Sequence, residues 1–554
     1  MRGSGYQHPT AWDQVFEPLS LIEMFDRTAG RVPKASLIDF YGRHYSYGTM
    51  AEAISRFATG LQSMGMKKGD RIGLFLPNVP QYVIAYFGIL KMGGIVVNFS
   101  PLYSVEELNH QVDDSGVRAL VTLDARALLP NALEVLRQTA LERLIVGTIA
   151  GVLPTAKSVL YRLFRRSDVV HIPDDPAIVH FAAMLDNDGD GQMPAIRPEE
   201  DIALIQYTGG TTGVPKGAIL THQNLTANAR QIASVDPHSH DGDDRIMGVL
   251  PLFHVFANSC VLNRTVFLGG EIIMLPRFDA GQVLAAVHRK QPTAMPGVPT
   301  MYQALLEHPR LGRTDFSSLR VCITGGAPMP QELKTRFEAA TGATIAQGYG
   351  LTESSGVVSV NPYEGDNRPV TVGQPLPATH IVLVDRDDPA SLAPDGEPGE
   401  VTFSGPQMMR GYWNRPEEDA KVFINGRLRT GDIGVIDDKG YLTIVDRLKD
   451  MIAVGGFKVF PSQVEAVLYR HPAVKEALVI GIPDDYLGER PKAFVTLNGG
   501  AQVTEEALQQ WLNPQLGKHE RVAAVEIRDF LPRTLVGKLS RKELVAEERA
   551  RAGR

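Results

Sequence analysis

The chain has 554 residues, 44% of them hydrophobic, so it is long enough for several domains and too apolar to be disordered. Its 56 Lys and Arg residues against 63 Asp and Glu residues give a formal net charge of −7, which argues against nucleic acid as the main partner. The two cysteines, Cys260 and Cys322, lie in apolar stretches and form no Cys-x-x-Cys pair. A disulfide scaffold and a cysteine-ligated structural zinc site are therefore excluded, and both thiols are predicted to be inert core residues.

Short apolar runs alternate with longer segments of helical periodicity between about residues 40 and 350. The predicted helices include Met50–Met64 and Pro80–Lys91. The predicted strands are Arg71–Leu76, Gly94–Asn98, Ala119–Leu123, Ile202–Gln206, Ile272–Leu275 and Val321–Thr324. This alternation is typical of βαβ units, in which helices cover parallel sheets.

A basic amphipathic helix is predicted within this region, at Pro154–Ser167. It combines apolar and cationic side chains: Val159, Leu160, Leu163, Phe164, Lys157, Arg162, Arg165 and Arg166. Such a helix is either an ordinary solvated helix or a segment that lies on an anionic bilayer, and the sequence leaves both alternatives open. The first residues lack the apolar run that is typical of a signal peptide, and no stretch approaches the about 20 apolar residues of a membrane span. We therefore expect a cytoplasmic protein, peripheral at most on the inner membrane, and the sequence leaves homodimer formation open.

The pattern changes at about residue 370, where Gly and Pro recur and turns separate short alternating segments. This predicts a small antiparallel sheet or distorted barrel over about 370–446. After Asp446 the chain mixes helices and strands, which are predicted at Pro461–Tyr469, Glu505–Leu512, Ala477–Ile482 and Ala493–Leu497.

We therefore predict an α/β fold with two domains. The large N-terminal domain, residues 1–446, contains parallel-type sheets covered by helices and ends in the barrel-like subdomain. A small α+β domain, residues 447–554, follows it.

The most informative segment is Tyr207–Gly217, which follows the predicted buried strand Ile202–Gln206. Four glycines and three threonines around Lys216 make a loop whose N–H groups, hydroxyls and ammonium can surround a polyphosphate. A Walker A loop would place Ser or Thr after the lysine, but Gly217 follows it and Pro215 precedes it.

This loop resembles the phosphate loop of the adenylate-forming superfamily, which includes acyl-CoA synthetases, adenylation domains of peptide synthetases, and luciferases. The other landmarks of that family follow in the expected order and cover nearly the whole chain. They are Tyr349-Gly350-Leu351-Thr352-Glu353, Thr430-Gly431-Asp432, the hinge Asp446-Arg447-Leu448-Lys449-Asp450-Met451-Ile452, and Gly537-Lys538. The hinge and the following Gly455–Pro461 look most like those of bacterial long-chain fatty-acid–CoA ligases.

The resemblance implies a site for ATP and Mg²⁺. It places Tyr349 against the adenine, Asp432 and Arg447 at the ribose, Thr352 near the α-phosphate and Glu353 on the magnesium ion. The residues implied in nucleotide binding are Thr208, Gly209, Gly210, Thr211, Thr212, Gly213, Lys216, Gly326, Ala327, Pro328, Gly348, Tyr349, Gly350, Thr352, Asp432 and Arg447. Those implied in catalysis are Lys538, Glu353, Thr208 and Lys216.

The resemblance also implies an acyl pocket and a tunnel for coenzyme A. The acyl pocket would be lined by His254, Val255, Gly297 and Gly325, although His254 can equally be a packed core histidine. The tunnel would be lined by Val454, Gly455, Gly456 and Phe457. The family turns its mobile C-terminal domain about the residue that matches Asp446, which exchanges the lysine loop for this tunnel wall between two half-reactions.

We thus expect ATP-dependent activation of a long-chain fatty acid and its transfer to coenzyme A. The alternatives are a medium-chain or aryl acid as substrate, or a fatty acyl-AMP ligase that serves a carrier protein. A third alternative, from another class, is an inactive lipid-binding or uptake protein. The joint presence of Lys216, Glu353, Asp432 and Lys538 speaks against the third.

Overall fold

The computed structural model of the chain describes residues 5–164, 166–208, 215–239, 242–455, 457–534 and 539–551, without the side chains of Arg162, Leu163 and Arg166. The helices in this part of the chain are α1 Leu21–Arg31, α2 Tyr47–Ser63, α3 Pro80–Lys91, α4 Val105–Ser115, α5 Leu129–Gln138, α6 Ile149–Val152, α7 Thr155–Phe164, α8 His222–Ser234, α9 Val255–Ala257, α10 Arg264–Leu268, α11 Ala280–Lys290, α12 Pro299–Leu306, α13 Gln331–Thr341, α14 Pro416–Val422, α15 Pro461–Leu468, α16 Glu505–Leu512 and α17 Lys542–Arg551.

The strands in the same ranges are β1 Ser36–Phe40, β2 Arg43–Ser46, β3 Arg71–Leu74, β4 Ile95–Asn98, β5 Ala119–Leu123, β6 Arg143–Gly147, β7 Ile178–His180, β8 Ile202–Tyr207, β9 Gly217–Thr221, β10 Arg245–Gly248, β11 Glu271–Met274, β12 Val321–Thr324, β13 Thr344–Tyr349, β14 Ser359–Val360, β15 Gln374–Pro375, β16 His380–Val384, β17 Gly399–Ser404, β18 Gly411–Tyr412, β19 Phe423–Ile424, β20 Arg427–Ile436, β21 Leu442–Arg447, β22 Ile452–Val454, β23 Phe457–Val459, β24 Val474–Asp484, β25 Gly488–Leu497 and β26 Ala524–Ile527.

The first large sheet has the strand order β18-β9-β8-β4-β3-β5-β6-β7. Neighbouring strands from β8 to β7 run parallel, whereas β9 is antiparallel to β8 and β18 to β9. Every residue of β4 and β5 is buried, as expected for central strands of a sheet with both faces covered.

The second sheet has the parallel order β10-β11-β1, with β2 antiparallel at its edge. Ala294 forms parallel bridges to Ile246 of β10 and Val321 of β12, and thereby extends the sheet to β12 and β13. The carboxyl ends of β8, β10, β12 and β13 are each followed by a segment that carries predicted site residues. Ligands of open α/β sheets usually bind at such ends.

Helix α3 is buried along its whole length except at Lys91. A helix that is apolar on all sides is stable only in a protein interior, and Pro80 suits its first turn because that position needs no N–H donor. Its Tyr82 hydroxyl lies 2.9 Å from the Leu252 carbonyl oxygen, so the helix also holds a loop of the second sheet.

The last part of the chain forms two further sheets. The first has the antiparallel order β16-β17-β20-β19, with β21 paired to β20, and corresponds to the predicted barrel-like unit. The second has the order β23-β22-β25-β24, with β26 parallel to β25, and has its own core around Val464, Val479 and Leu508. The predicted α/β class, with a large N-terminal part and a smaller C-terminal domain, is confirmed.

Cys260 and Cys322 are both buried and free, as predicted for core residues. Burial raises the pKa of the Cys260 thiol to about 12, so this thiol stays protonated at neutral pH. Among the residues that the structure describes, no helix has the length and apolar character needed to cross a membrane.

Candidate active site

The Gly/Thr-rich segment connects β8 and β9, which pair as a hairpin through Tyr207 and Gly217. At its base the Thr208 N–H donates a hydrogen bond of 2.9 Å to the Lys216 carbonyl oxygen. Residues 209–214 lie outside the described residues. The structure thus brings Thr208 and Lys216 together at the carboxyl end of β8, where the phosphate loop was predicted.

Lys216 is the predicted phosphate-binding cation. Its ammonium pairs with the Glu418 carboxylate and lies 5.1 Å from the centroid of the Tyr412 ring. Hydrogen bonds from Lys216 and then from Lys421 lower the pKa of Glu418 to about 2. A phosphate that reaches Lys216 therefore has to compete with a carboxylate that is ionised at neutral pH.

Tyr349, Asp432 and Arg447 meet although they belong to three different strands. The Tyr349 hydroxyl donates a hydrogen bond of 2.5 Å to Oδ2 of Asp432, and Nε of Arg447 lies 3.3 Å from Oδ1. Burial raises the pKa of Asp432, an effect that the positive charge of Arg447 opposes. The side chains predicted to contact adenine and ribose therefore form one cluster, in which Asp432 is an acceptor enclosed by two donors.

Glu353, the predicted magnesium ligand, is oriented by Tyr412. The Tyr412 hydroxyl donates a hydrogen bond of 2.6 Å to Oε1 of Glu353. Burial, with the nearby charge of Glu353, raises the pKa of Tyr412 well above its usual value, so the phenol remains a donor. Among the described residues no hydrogen bond engages Oε2 of Glu353. A carboxylate oxygen of this kind suits Mg²⁺, which prefers oxygen ligands.

The turn between Tyr349 and Glu353 requires a glycine. A Cβ atom at Gly350 would lie 1.9 Å from the carbonyl oxygen of Gly356, a distance that no side chain can adopt. This close approach lets the chain reverse after β13, and a short 3₁₀ turn at Thr352–Ser354 follows. Glu353 therefore leaves the end of β13 in a direction fixed by backbone packing.

The predicted acyl-pocket glycines lie beside two aromatic rings. A Cβ atom at Gly325, just after β12, would lie 3.6 Å from the Phe256 ring, and one at Gly297 would lie 3.0 Å from the Tyr302 hydroxyl. Gly326, Ala327 and Pro328 continue from Gly325, and Gly348 lies in β13. An added side chain at Gly297 would therefore crowd the Tyr302 ring, whereas a Cβ atom at Gly325 would only touch the Phe256 ring.

His254 begins helix α9, where its Nδ1 accepts a hydrogen bond of 3.3 Å from the Phe256 N–H. The ring is half-buried, whereas Val255 is fully buried. This capping contact gives His254 a structural reason to be present. The role of His254 and Val255 in an acyl pocket stays a prediction.

A buried chain of hydrogen bonds connects the loop before His254 to the phosphate-loop hairpin. The Tyr82 hydroxyl lies within hydrogen-bonding distance of the Leu252 carbonyl and, at 3.0 Å, of Oδ1 of Asn98. Nδ2 of Asn98 donates a hydrogen bond of 3.1 Å to Oε1 of Gln206 in β8. The two segments are therefore held in a fixed relation through the protein interior.

Asp446, the predicted hinge, ties the barrel-like sheet to the C-terminal domain. Its Oδ2 accepts a hydrogen bond of 2.8 Å from the Ser462 N–H in the first turn of α15, and its Oδ1 accepts one of 2.8 Å from the Arg447 N–H. The Ser462 hydroxyl also donates to the Val445 carbonyl oxygen. A rotation about this point would have to release the bonds to Ser462.

The predicted tunnel segment forms the turn between β22 and β23. Gly455 has a φ of +56°, which favours glycine. Val454 is buried in the core of the C-terminal domain, while Phe457 is 61% exposed and stacks on His519 with ring centroids 5.1 Å apart. A tunnel wall would therefore use the Phe457 ring and the backbone at Gly455 rather than the Val454 side chain.

Some predicted site residues lie outside the described residues: Gly209, Gly210, Thr211, Thr212, Gly213, Gly456 and Lys538. Sequence reasoning in turn missed Tyr412 and Glu418, which contact Glu353 and Lys216. The sequence indicates these two residues only weakly, through a Gly-Tyr-Trp run that contains Tyr412 and through the acidic first turn of α14, which contains Glu418. Nothing in that local pattern indicates partners about 60 and 200 residues away.

Two family models match the chain. The one described as AMP-binding enzyme matches residues 25–413, and the one described as AMP-binding enzyme C-terminal domain matches residues 463–538. The first ends at Trp413, just after β18, so Lys216, Tyr349 and Glu353 all fall within it.

Several proteins of known name are similar over nearly the whole length. A long-chain-fatty-acid–CoA ligase of Bacillus subtilis is 41% identical over 525 residues, which cover 94% of this chain and 93% of that protein. A ligase of the same name from Escherichia coli is 40% identical over 546 residues, covering 96% and 95%.

The solved structures of MatB from Rhodopseudomonas palustris also superpose on the chain. The ATP-bound form is 27% identical, covers 97% of this chain and 100% of its own, and gives a TM-score of 0.84. The apo form, with 28% identity and the same coverage, gives 0.75. The overall arrangement is therefore nearer to that of the ATP-bound form.

Proposed function

Because the chain belongs to the AMP-binding enzyme family, we propose that it activates a long-chain fatty acid with ATP and transfers the acyl group to coenzyme A. The ligases at about 40% identity over nearly the full length support this substrate class. The structural observation that carries the proposal is that the predicted site residues from distant segments are linked. Lys216 lies over Tyr412, Tyr412 donates a hydrogen bond to Glu353, and Glu353 comes four residues after Tyr349, which binds Asp432.

In the first half-reaction the fatty-acid carboxylate attacks the α-phosphorus of ATP. A bond forms between the acyl oxygen and phosphorus, and the bond to pyrophosphate breaks. Negative charge grows on the departing pyrophosphate, so donors and cations fixed beside it lower the barrier. Lys216 supplies a cation there, while Asp432 and Arg447 hold the ribose.

Mg²⁺ is proposed as the metal of this site, with Glu353 as its protein ligand. Mg²⁺ is usually bound by one or two carboxylates together with substrate phosphates, which suits a single carboxylate beside the phosphate loop. Bound there, the ion would neutralise charge on the phosphate oxygens. Tyr412 keeps one oxygen of Glu353 occupied, so the other oxygen would be the one that holds the ion.

In the second half-reaction the thiol of coenzyme A attacks the acyl carbonyl carbon. A carbon–sulfur bond forms, the bond to the AMP oxygen breaks, and the thiol proton passes to solvent. We propose that Lys538 contacts the carboxylate and α-phosphate in the first step and is then withdrawn by rotation about Asp446. The turn at Val454–Phe457 would then border the path of the thiol.

Pyrophosphate release with octanoate, laurate, palmitate and benzoate tests the substrate class. We expect kcat/KM to rise with chain length and to be lowest for benzoate. Preference for benzoate or octanoate would favour the aryl or medium-chain alternative. Pyrophosphate release without any consumption of coenzyme A would indicate an acyl-AMP ligase, and palmitate binding without pyrophosphate release would indicate an inactive lipid-binding protein.

A second proposal concerns helix α7, which we infer binds an anionic bilayer such as the cytoplasmic leaflet. Val159 and Leu160 are each 53% exposed and Phe164 is 78% exposed. Lys157, Leu160 and Phe164 share one helix face because they are three and four residues apart. This arrangement of apolar and cationic side chains is typical of helices that lie in a membrane interface.

The surface beside α7 carries a net positive charge, which suits anionic headgroups. A cavity of about 850 Å³ is lined by Lys157, Arg289, Lys290 and Arg310 together with the carboxylates Asp39 and Asp279, and Asp39 is paired with Lys290. The cations left over are Lys157, Arg289 and Arg310. Within the described part of the chain these three cations have no carboxylate partner. Each cation near an anionic membrane surface contributes about 1 kcal/mol of attraction.

Sedimentation with vesicles tests this contact. Vesicles that contain phosphatidylglycerol should bind the protein, and phosphatidylcholine vesicles should not. Phe164→Ser should weaken binding about tenfold because a large apolar side chain leaves the interface. Leu392→Ser, at a residue 65% exposed elsewhere, is the matched control. Equal binding by Phe164→Ser and wild type, or no binding by wild type, would leave α7 as an ordinary solvated helix.

A further inference from the structure

Arg541 lies three residues after Lys538, and three acceptors hold its guanidinium group. Nε donates a hydrogen bond of 3.0 Å to the Val479 carbonyl, NH1 pairs with Oδ2 of Asp450 at 3.2 Å, and NH2 pairs with Oε1 of Glu465 at 2.6 Å. A guanidinium offers its donors in fixed directions, so this contact fixes the orientation of the side chain.

The three partners of Arg541 belong to separate elements of the C-terminal domain. Asp450 follows the hinge residue Asp446 by four positions, Glu465 lies in α15 and Val479 lies in β24. The side chains of Arg541, Asp450 and Glu465 are only 22%, 19% and 12% exposed. Glu465 also accepts a hydrogen bond of 2.7 Å from the Val479 N–H. The ion pairs are thus shielded and belong to a wider network.

Arg541 also stands at the base of the Lys538 loop. The Ser540 N–H donates a hydrogen bond of 2.8 Å to the Pro532 carbonyl oxygen, and Arg533 and Leu539 form an antiparallel bridge. The two ends of the loop are therefore adjacent, although residues 535–538 lie outside the described residues. Arg541 directly follows Ser540, so the contacts of its guanidinium hold this base in place.

We infer that Arg541 is a positioning residue for Lys538, because it fixes the base of the lysine loop to the turn just after the hinge. This inference rests on the proposed function of Lys538. Asp450 and Arg541 both follow Asp446 in the chain, so they would turn together in a rotation about Asp446 and the base of the lysine loop would turn with them. A displacement of about 1 Å at a reacting centre can cost about 100-fold in rate.

Arg528 offers a matched control in the same domain. Its guanidinium also binds two carboxylates, Glu526 at 2.5 Å and Glu547 at 2.8 Å, and its exposure of 26% is close to that of Arg541. Neither partner belongs to the hinge segment. A loss that follows from weakening the domain in general should therefore appear in both Arg528→Met and Arg541→Met.

The test measures the two half-reactions separately with the full-length protein. Arg541→Met should slow pyrophosphate release from palmitate and ATP by about 10- to 100-fold, because the loop that carries Lys538 is no longer held in position. Thioester formation from supplied palmitoyl-AMP and coenzyme A should change less than about twofold, and Arg528→Met should leave both steps within that range. Asp450→Asn should reproduce the selective loss more weakly, which keeps the test valid if Arg541→Met fails to fold.

A double-mutant cycle separates positioning from stability. In a Lys538→Ala background, Arg541→Met should reduce pyrophosphate release by less than about twofold, because no ammonium remains to be positioned. The inference would be overturned if Arg541→Met and Asp450→Asn slowed both half-reactions equally, or if neither variant slowed pyrophosphate release. It would also be overturned if Arg541→Met slowed pyrophosphate release as much in the Lys538→Ala background as in the wild-type protein. A wild-type protein that releases no pyrophosphate would instead contradict the proposed function itself.

Discussion

The Tyr349 hydroxyl donates a hydrogen bond of 2.5 Å to the carboxylate of Asp432, which lies 83 residues later in the chain. This bond joins the end of β13 in the large domain to the middle of β20 in the barrel-like sheet. It positions a flat aromatic ring and a buried acceptor side by side, as the recognition of a base and its ribose requires. The proposed nucleotide site therefore depends on how these two units pack together.

Removal of the Tyr412 hydroxyl should weaken the site at Glu353. Tyr412→Phe keeps the ring beside Lys216 but leaves Glu353 without its donor, and hydrogen bonds to charged groups contribute about 1.5–3 kcal/mol. We expect kcat/KM for ATP to fall about tenfold or more. Tyr441→Phe, which loses a hydrogen bond of 2.7 Å to the Asp366 carbonyl, is the control. Equal kinetics in both variants would show that Tyr412 does not orient Glu353.

Loss of the Lys538 ammonium should affect only one half-reaction. Lys538→Ala should reduce acyl-AMP formation by about 100-fold or more, because a charge contact to the reacting oxygens is lost. Thioester formation from supplied acyl-AMP should survive. Measurement of both steps on one preparation decides the matter, and an equal loss in the two steps would refute the assignment.

A rigid residue at the hinge should have the opposite effect. Asp446→Pro fixes the backbone φ and should stop thioester formation while acyl-AMP formation continues. Asp446→Ala loses the same acceptor for the Ser462 N–H but keeps rotation free, so it should retain both steps. Normal overall turnover in the proline variant would count against a hinge at this position.

Burial of His222 should make the free energy of unfolding depend on pH. The imidazole accepts a hydrogen bond of 3.3 Å from the Leu21 N–H, and burial lowers its pKa from 6.5 to about 4. Between these values the unfolded imidazole binds a proton that the folded one does not, so stability is lost as pH falls from 6.5 toward about 4. The loss attributable to His222 approaches about 3 kcal/mol below that range.

Urea unfolding at about pH 7 and about pH 5 measures this effect, since each pH lies on a different side of the ordinary imidazole pKa. His222→Gln keeps an acceptor for Leu21 and should lose less stability on acidification than wild type. Some pH dependence should remain, because burial also lowers the pKa of His8 to about 4. An unchanged loss in His222→Gln would show that this imidazole does not titrate as inferred.

Most of the fold follows from local patterns in the sequence. The predicted strands Ala119–Leu123 and Val321–Thr324 and the predicted helices Pro80–Lys91 and Glu505–Leu512 have the observed bounds. Each is a strongly apolar run or has a clear helical period bounded by turn signals. The predicted α7 segment is shorter than expected, at Thr155–Phe164, and its exposed apolar residues agree with an amphipathic helix.

The site was only partly predictable, because its residues come from distant segments. Motifs located Lys216, Glu353 and Asp432, since each stands in a recognisable local pattern. No local pattern joins Tyr412 to Glu353, because this contact arises only when β18 pairs with β9 beside the 3₁₀ turn that follows β13. Side chains that act through tertiary pairing of this kind are recognised only in the folded structure.

The most direct test of the whole account is pyrophosphate release by the purified protein with Mg²⁺, ATP and palmitate, before and after addition of coenzyme A. Without coenzyme A we expect about one pyrophosphate per chain, retained as bound acyl-AMP, and with it continuous release matched by palmitoyl-CoA and AMP. Absence of any palmitate-dependent pyrophosphate under both conditions would contradict the account.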